Sequence, residues 1–248
     1  IIPLQVGKEM VICDKRHRYM DRCQDDEVCV CEMSQANVEQ ISRIIEIAGS
    51  DPAGWRKTTL EERHKIMYEA ANRLGEMRGD LIGCMCAITG KTVVEGDVEV
   101  SEGIDYARFY TTSMKLFADL PDVDITPEGT VLVISPWNFP CAIPIGGIVA
   151  ALAGGNTVIL KPATVAAPVA WLFAQAFWDA GVPKEALQVI ITDRDALKVL
   201  TSAPAIKHII LTGGTDTAQN IARSNPSTPL SAETGGQERY NSDSFRRS

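Results

Sequence analysis

The first half of the chain carries apolar residues at the three- and four-residue steps of amphipathic helices. Residues 37–49 and 62–88 follow this spacing and predict two helices. Thr59 and Glu62 stand at capping-box spacing and mark a start for the second helix. We expect a third helix over residues 98–118, because Leu120-Pro121 would break it. Before residue 36, short alternating stretches indicate a hairpin.

The pattern changes at residue 129 to short runs rich in β-branched residues. These runs predict strands buried on both faces, at residues 131–135, 156–162, 187–191 and 208–213. Segments of helical character lie between and after them, at residues 141–153, 165–180, 193–203 and 215–224. Alternation of this kind predicts an α/β fold, a doubly wound parallel sheet covered by helices. Ligands bind such sheets at the carboxyl ends of the strands.

These two patterns divide the chain into three parts. Residues 1–128 form an amino-terminal hairpin and helical part, and residues 129–236 form the sheet core. Residues 237–248, with the sequence QERYNSDSFRRS, are polar and rich in serine and arginine. We expect this tail to be disordered or non-native.

Composition narrows the function classes. The 248 residues carry a formal net charge of -8, which argues against nucleic acid or an anionic membrane as a partner. No apolar run is long enough to span a membrane, and no signal peptide is evident. The seven cysteines are an odd number, typical of reduced thiols in a cytoplasmic compartment (or a mitochondrial matrix in a eukaryote). Their C-x-C pairs lack zinc-site spacing, so we predict no metal.

The loop after the first predicted strand, with the sequence PWNFP, displays an amide between two aromatic residues. Asn138 could donate a hydrogen bond to an oxygen that becomes negative during a reaction. Alternatively, it caps the following helix, a common role for asparagine.

The other strand ends carry a lysine, a glycine pair and a carboxylate. Lys161 could reach ribose hydroxyls, or could be a solvated strand-end lysine. Gly213 and Gly214 precede a helix, where backbone can approach a phosphate, although a tight turn needs glycine as well. Glu233 stands at the end of an expected fifth strand and is either a general base or an exposed loop glutamate.

The tripeptide Gly90-Lys91-Thr92 imitates the end of a phosphate-binding P-loop. The full motif needs a glycine where this chain has Met85, and a strand before the loop. A helix that ends at Gly90 explains the tripeptide better.

The ordered series PWNFP, GNTVILKPA, LTGGT and ETGG resembles the aldehyde dehydrogenase superfamily from about residue 36 to 236. The resemblance implies a Rossmann-like coenzyme domain that binds NAD or NADP, and oxidation of an aldehyde to a carboxylic acid. It also implies a homo-oligomer in the full-length protein. Residues 129–236 would then be the NAD(P)-binding core.

Roles follow from this resemblance residue by residue. Asn138 would stabilise the oxyanion, and Glu233 would be the hydrolytic base. Trp137 would hold the coenzyme, Lys161 would meet the adenosine ribose, and Gly213 with Gly214 would line the approach to the pyrophosphate. The remaining coenzyme contacts would come from neighbouring residues: Ser135, Pro136, Pro162, Ala163, Thr234 and Gly235.

The sequence also departs from the family pattern. Many members have serine at Gly214, and many that prefer NAD have glutamate at Thr164, so the choice between NAD and NADP stays open. The family's nucleophilic cysteine lies some thirty residues or more beyond the E-x-G-G glutamate, past Ser248. We therefore expect a truncated, inactive chain without its catalytic domain. Cys141 has the context of a buried apolar residue.

Three stretches resemble the dehydrogenases of glutamate γ-semialdehyde (1-pyrroline-5-carboxylate) in proline breakdown. They begin with DPAGWRK, EVSEGID and FWDAGVP. Glu102 would lie near the substrate mouth in such an enzyme, or would be a solvated helical glutamate. Two other functions remain open for this chain: it is a fragment of an aldehyde dehydrogenase that acts on another substrate, or a non-catalytic dinucleotide-binding protein.

Overall fold

The computed structural model describes residues 1–24 and 28–235. Two antiparallel hairpins open the chain, where the sequence predicted one. The first pairs β1 (Leu4–Val6) with β2 (Glu9–Val11), and the second pairs β3 (Arg16–Met20) with β4 (Cys29–Ser34). The predicted tail, residues 237–248, lies outside the described residues.

Four helices follow the hairpins. They are α1 (Val38–Ser50), α2 (Leu60–Glu76), α3 (Arg78–Thr89) and α4 (Val93–Ala118). The capping box of Thr59 and Glu62 is present at the start of α2, as predicted. The helix that we expected over residues 62–88 is two helices, because the backbone breaks at Met77.

The helix expected over residues 98–118 begins earlier, at Val93. Thr92 and Glu95 form a capping box there, a signal that the sequence carries and that the prediction overlooked. Gly90 ends α3 in a left-handed conformation with a φ of 72°, which confirms the helix-end interpretation of Gly90-Lys91-Thr92.

From residue 130 onward strands and helices alternate. The strands are β5 (Thr130–Ser135), β6 (Thr157–Pro162), β7 (Leu187–Val189), β8 (Ile206–Gly213) and β9 (Leu230–Thr234). The helices are α5 (Ala142–Ala153), α6 (Ala167–Asp179), α7 (Arg194–Thr201) and α8 (Thr215–Ser224).

The five strands form one parallel sheet in the order β7-β6-β5-β8-β9, which confirms the predicted α/β fold. Successive side chains of β5 point to opposite faces. Val131 and Val133 pack into a cluster with α2 to α6, while Leu132 and Ile134 join a cluster with α1, α7 and α8. The helices of the first 128 residues therefore cover the same sheet as those that follow.

The order of the strands changes direction at β5. From β5 the chain moves outward to β6 and β7, and it then returns to β8 on the other side of β5. A crevice opens at such a switch point, beyond the carboxyl ends of the strands. Within residues 1–24 and 28–235, no helix combines the length and apolar character needed to cross a bilayer.

Candidate functional site

A cleft of about 1030 Å³ lies at the carboxyl ends of β5, β6, β8 and β9. It contains the amide, the lysine, the glycine pair and the carboxylate that the sequence singled out. Eleven of the predicted site residues line it: Ser135, Pro136, Trp137, Asn138, Lys161, Ala163, Gly213, Gly214, Glu233, Thr234 and Gly235. Pro162 is buried at the end of β6 and does not line the cleft, and Glu102 lies on α4 outside it.

The loop after β5 forms one wall of this cleft. Ser135 is buried, and its backbone carbonyl accepts a hydrogen bond of 2.9 Å from the amide of Ala163, which joins the ends of β5 and β6. Trp137 and Phe139 are 56% and 43% exposed, and Asn138 between them is exposed as well. The loop therefore presents both an aromatic surface and an amide to the cleft.

Asn138 does not cap the following helix, so that alternative is wrong. Instead, the carboxylate of Glu99 on α4 accepts hydrogen bonds from the backbone amides of Cys141 (2.7 Å) and Ala142 (3.1 Å) at the start of α5. The amides at the start of α5 are therefore satisfied from another element and not by the Asn138 side chain, which lines the cleft.

Lys161 stands at the end of β6 with its side chain half-buried. Burial lowers the pKa of its ammonium group below the ordinary value of 10.5. Among residues 1–24 and 28–235, Lys161 has no carboxylate in an ion pair with it, so a buried ammonium group here gains from a polar ligand in the cleft.

Gly213 and Gly214 join β8 to α8. Neither glycine has a positive φ, and the φ of Gly214 is -71°. A Cβ atom on Gly214 would meet no atom closer than Thr217 Oγ1 at 4.0 Å, and one on Gly213 would lie 3.6 Å from Leu211 Cδ1. Local conformation therefore does not require glycine here, and the tight-turn alternative is not supported.

The amino terminus of α8 opens toward the same space. Its N-cap is Gly214, which makes no side-chain cap hydrogen bond. The Thr217 amide donates to the Gly214 carbonyl at 3.0 Å, whereas the amides of Thr215 and Asp216 have no partner in the described part of the chain. Together with the helix dipole, such amides attract a phosphate group. The bare glycines and this helix end thus fit a pyrophosphate.

Glu233 lies on the edge strand β9, in register with Thr212 of β8. Glu233, Thr234 and Gly235 are all exposed, and the Thr215 hydroxyl donates a hydrogen bond of 3.3 Å to the Gly235 carbonyl. Glu233 lines the cleft on the other side of β5 from Lys161 of β6. Gly236, the last residue of the E-T-G-G motif, lies outside the described residues.

Several residues of the cleft were missed by the sequence interpretation. Thr192 and Asp193 follow β7, and Gln35 follows β4. A parallel bridge between Ala36 and Thr192 brings these two segments together. Thr192 could have been found, because it also follows a predicted strand. Gln35 could not, because nothing in the sequence connects the second hairpin with the sheet.

No cysteine lies in the cleft within the described residues, although all seven cysteines are described and all are free. Cys141 is fully buried, and burial together with the charge of Glu99 raises the pKa of its thiol. A neutral, inaccessible thiol is a poor nucleophile, in agreement with the apolar role expected for Cys141. In the described part of the chain, no three cysteine, histidine or acidic side chains gather as metal ligands would.

Comparisons with known proteins agree with this geometry. Residues 13–240 match the model of the aldehyde dehydrogenase family. The chain is similar to 1-pyrroline-5-carboxylate dehydrogenase of Geobacillus sp., with 32% identity over 230 residues, covering 88% of this chain and 44% of that protein. It is also similar to the bifunctional protein PutA of Klebsiella aerogenes, with 35% identity over 216 residues, 84% of this chain and 16% of the relative.

A solved structure gives the same result in three dimensions. The 1-pyrroline-5-carboxylate dehydrogenase of Thermus thermophilus superimposes with a TM-score of 0.88 and 26% sequence identity, over 95% of this chain and 49% of that one. The chain thus spans less than half the length of the curated relatives it matches. Because the family match extends over most of its residues, the chain belongs to the aldehyde dehydrogenase family.

Proposed function

We propose that this chain binds a nicotinamide dinucleotide in the cleft beside β5 and β8, as the coenzyme-binding part of an aldehyde-oxidising enzyme. The observation that supports this most strongly is the convergence of four groups along one cleft. They are the amide of Asn138, the ammonium group of Lys161, the bare backbone of Gly213 and Gly214, and the carboxylate of Glu233.

Each group has a task in binding or in proton transfer. Lys161 donates hydrogen bonds to ribose hydroxyls, and the amino terminus of α8 binds the pyrophosphate beside Gly213 and Gly214. The Asn138 amide donates to the substrate oxygen that gains negative charge. Glu233 takes a proton from the water that attacks the acyl group. The coenzyme, when bound, supplies the acceptor for hydride.

We further propose that the substrate of the whole protein is L-glutamate γ-semialdehyde, which it oxidises to glutamate in proline breakdown. The curated relatives named 1-pyrroline-5-carboxylate dehydrogenase and PutA support this assignment. Our proposal includes a homo-oligomer, and the exposed apolar side chains of Val93, Val94 and Val98 on α4 provide surface for a second copy. It also includes a cytoplasmic location, which seven free cysteines support.

The nucleophile is, in our proposal, none of the seven cysteines of this chain. The lining of the cleft supports this, since the one cysteine near the PWNFP loop, Cys141, is buried with a raised thiol pKa. We therefore expect coenzyme binding without aldehyde turnover from the 248 residues alone.

Calorimetric titration of the chain with NAD and with NADP tests the proposal. Saturable binding of either dinucleotide, competed by ADP-ribose, supports it, whereas absence of binding to both overturns it. Incubation with glutamate semialdehyde and coenzyme, followed by the absorbance of reduced nicotinamide, tests the second part. Turnover that Cys141→Ser abolishes would show that our assignment of the nucleophile is wrong.

A further inference from the structure

Lys91 and Glu99 form a buried ion pair next to the PWNFP loop. Lys91 Nζ contacts Glu99 Oε2, and the two side chains are only 10% and 1% exposed. Lys91 lies between α3 and α4, and Glu99 lies in the second turn of α4. Burying two charges costs several kcal/mol per ion before their attraction is counted, so stability alone is a weak reason for such a pair.

The carboxylate of this pair holds the far end of the loop. Glu99 Oε1 accepts hydrogen bonds from the backbone amides of Cys141 and Ala142, at 2.7 and 3.1 Å. The N-cap of α5 supplies no side-chain hydrogen bond of its own. Glu99 therefore fixes where α5 begins, and a carboxylate at this position also complements the helix dipole.

The ammonium group holds the near end of the loop. Lys91 Nζ donates a hydrogen bond of 2.9 Å to the Asn138 carbonyl and lies 4.1 Å from the centre of the Phe139 ring. The side chains of Trp137 and Phe139 are 56% and 43% exposed, so packing restrains them only in part. Lys91 adds a polar contact and a cation–π contact that hold this part of the loop.

We infer that Lys91 and Glu99 act as a positioning pair that fixes the loop so that the Asn138 amide and Trp137 face the cleft. Lys91 binds the carbonyl of the residue whose side chain is to be oriented, and Glu99 anchors the chain three residues further on. This inference rests on the proposed function, because positioning matters only if Asn138 and Trp137 contact a ligand. Neither residue of the pair lines the cleft itself.

The pair can be tested in the 248-residue chain labelled with fluorotryptophan. The chain has four tryptophans, so ¹⁹F NMR gives four signals, and the signal of Trp137 is assigned with Trp137→Phe. In Lys91→Met we expect the Trp137 signal to shift or broaden while those of Trp55, Trp171 and Trp178 stay in place. We expect coenzyme binding to weaken roughly tenfold, as for one lost hydrogen bond to a charged group.

The double variant Lys91→Met/Glu99→Gln separates positioning from stability. Lys91→Met leaves the Glu99 carboxylate buried without its partner, so its thermal midpoint should fall. In the double variant the side-chain amide oxygen at position 99 still accepts from the backbone amides of α5 and no buried charge remains, so the midpoint should recover. The Trp137 signal and the coenzyme affinity should not recover, because the bond to the Asn138 carbonyl is still missing.

If the pair contributed only to stability, the double variant, whose thermal midpoint recovers, would also regain the wild-type Trp137 signal and coenzyme affinity. That result would overturn the inference. The matched control is Lys115→Met, which removes a partly exposed lysine on α4, the helix that carries Glu99; its ammonium group lies 2.7 Å from the Glu61 carboxylate. It should leave the Trp137 signal unchanged. If the wild-type chain binds no dinucleotide, the proposed function fails, but the Trp137 signal still decides whether the pair orders the loop.

Discussion

The Tyr106 hydroxyl donates a hydrogen bond of 2.9 Å to the carboxylate of Glu102, one helical turn earlier on α4. The ring packs on α5 at Gly146, where a Cβ atom would lie only 3.3 Å from Tyr106 Cδ2. Glu233 is close enough for its charge to act on Tyr106. The family resemblance implies that Glu102 lies near the substrate mouth. Its carboxylate accepts a hydrogen bond from Tyr106, whose pKa is raised in part by the charge of Glu233, a residue of the cleft.

This contact predicts a distinct alkaline response. The hydrogen bond to Glu102, followed by burial and the charges of Glu102, Tyr110 and Glu233, raises the pKa of Tyr106 from 10.0 to about 12. The folded protein therefore keeps the phenol proton after the unfolded chain has lost it. The stability that Tyr106 contributes is complete below pH 10 and disappears as the pH rises toward about 12.

The free energy of unfolding in urea, measured at about pH 9 and about pH 11, checks this. The stability advantage of the wild type over Tyr106→Phe should shrink at the higher pH. Tyr68→Phe is the control, because Tyr68 is 41% exposed and stacks on His64 instead. An advantage that is constant with pH would mean that Tyr106 does not titrate as the contact requires.

The features that the sequence predicted correctly are those that depend on residues close together in the chain. Strands, their order along the chain and the residues that follow them are local signals, so the sheet and most of the cleft were foreseen. The break between α2 and α3 was not foreseen. Met77, with φ -86° and ψ 7°, leaves the helical region, but the apolar spacing continues through it and gives no sign of the break. Glu99 caps a helix 42 residues further on, and no local pattern can show that.

Lys161→Met should weaken coenzyme binding without destabilising the fold. Burial lowers the pKa of Lys161, so the unfolded chain holds this proton more tightly than the folded one. The charged side chain therefore destabilises the fold at neutral pH. This penalty fades as the pH rises through the lowered pKa of the folded state, and it is gone above the ordinary lysine value of 10.5. Replacing the ammonium group by an apolar side chain removes both the penalty and the hydrogen bonds to a ligand.

We expect an equal or higher thermal midpoint and roughly tenfold weaker NAD or NADP binding for Lys161→Met. Calorimetric titration and thermal unfolding measure the two effects separately. Lys198→Met is the matched control, because the Lys198 side chain is 78% exposed and contacts only the exposed Asp195 carboxylate at 3.2 Å among the described ion pairs. Equal affinity for Lys161→Met and the wild type would remove Lys161 from the coenzyme site.

Gly214→Asp tests the binding of the pyrophosphate at the amino terminus of α8. Because a Cβ atom at Gly214 meets nothing closer than 4.0 Å and φ is -71°, the fold should tolerate a side chain. An aspartate at this N-cap position would accept hydrogen bonds from the first amides of α8 and would repel a phosphate. We expect unchanged or higher stability and weaker binding of the dinucleotide. Gly214→Ser adds a Cβ atom without a charge and is the control, which should keep its affinity. Undiminished affinity in Gly214→Asp would place the phosphates elsewhere.

Thr164 lines the cleft three residues after Lys161, at the start of a short 3-10 turn. Its carbonyl accepts a hydrogen bond of 2.8 Å from the Tyr19 hydroxyl, so the backbone of this turn is anchored from the second hairpin. If the coenzyme binds in this cleft as proposed, a glutamate at this position would accept hydrogen bonds from both ribose hydroxyls of NAD. The same carboxylate would repel the 2′-phosphate of NADP.

Thr164→Glu should therefore strengthen NAD binding and weaken NADP binding, so that the ratio of the two dissociation constants changes roughly tenfold or more. Thr164→Gln has the same length without the charge, and it should affect NAD and NADP to a similar extent. Titration of the three proteins with both dinucleotides separates charge from size. If Thr164→Glu and Thr164→Gln change the ratio equally, the ribose lies beyond reach of residue 164 and coenzyme choice is determined elsewhere in the cleft.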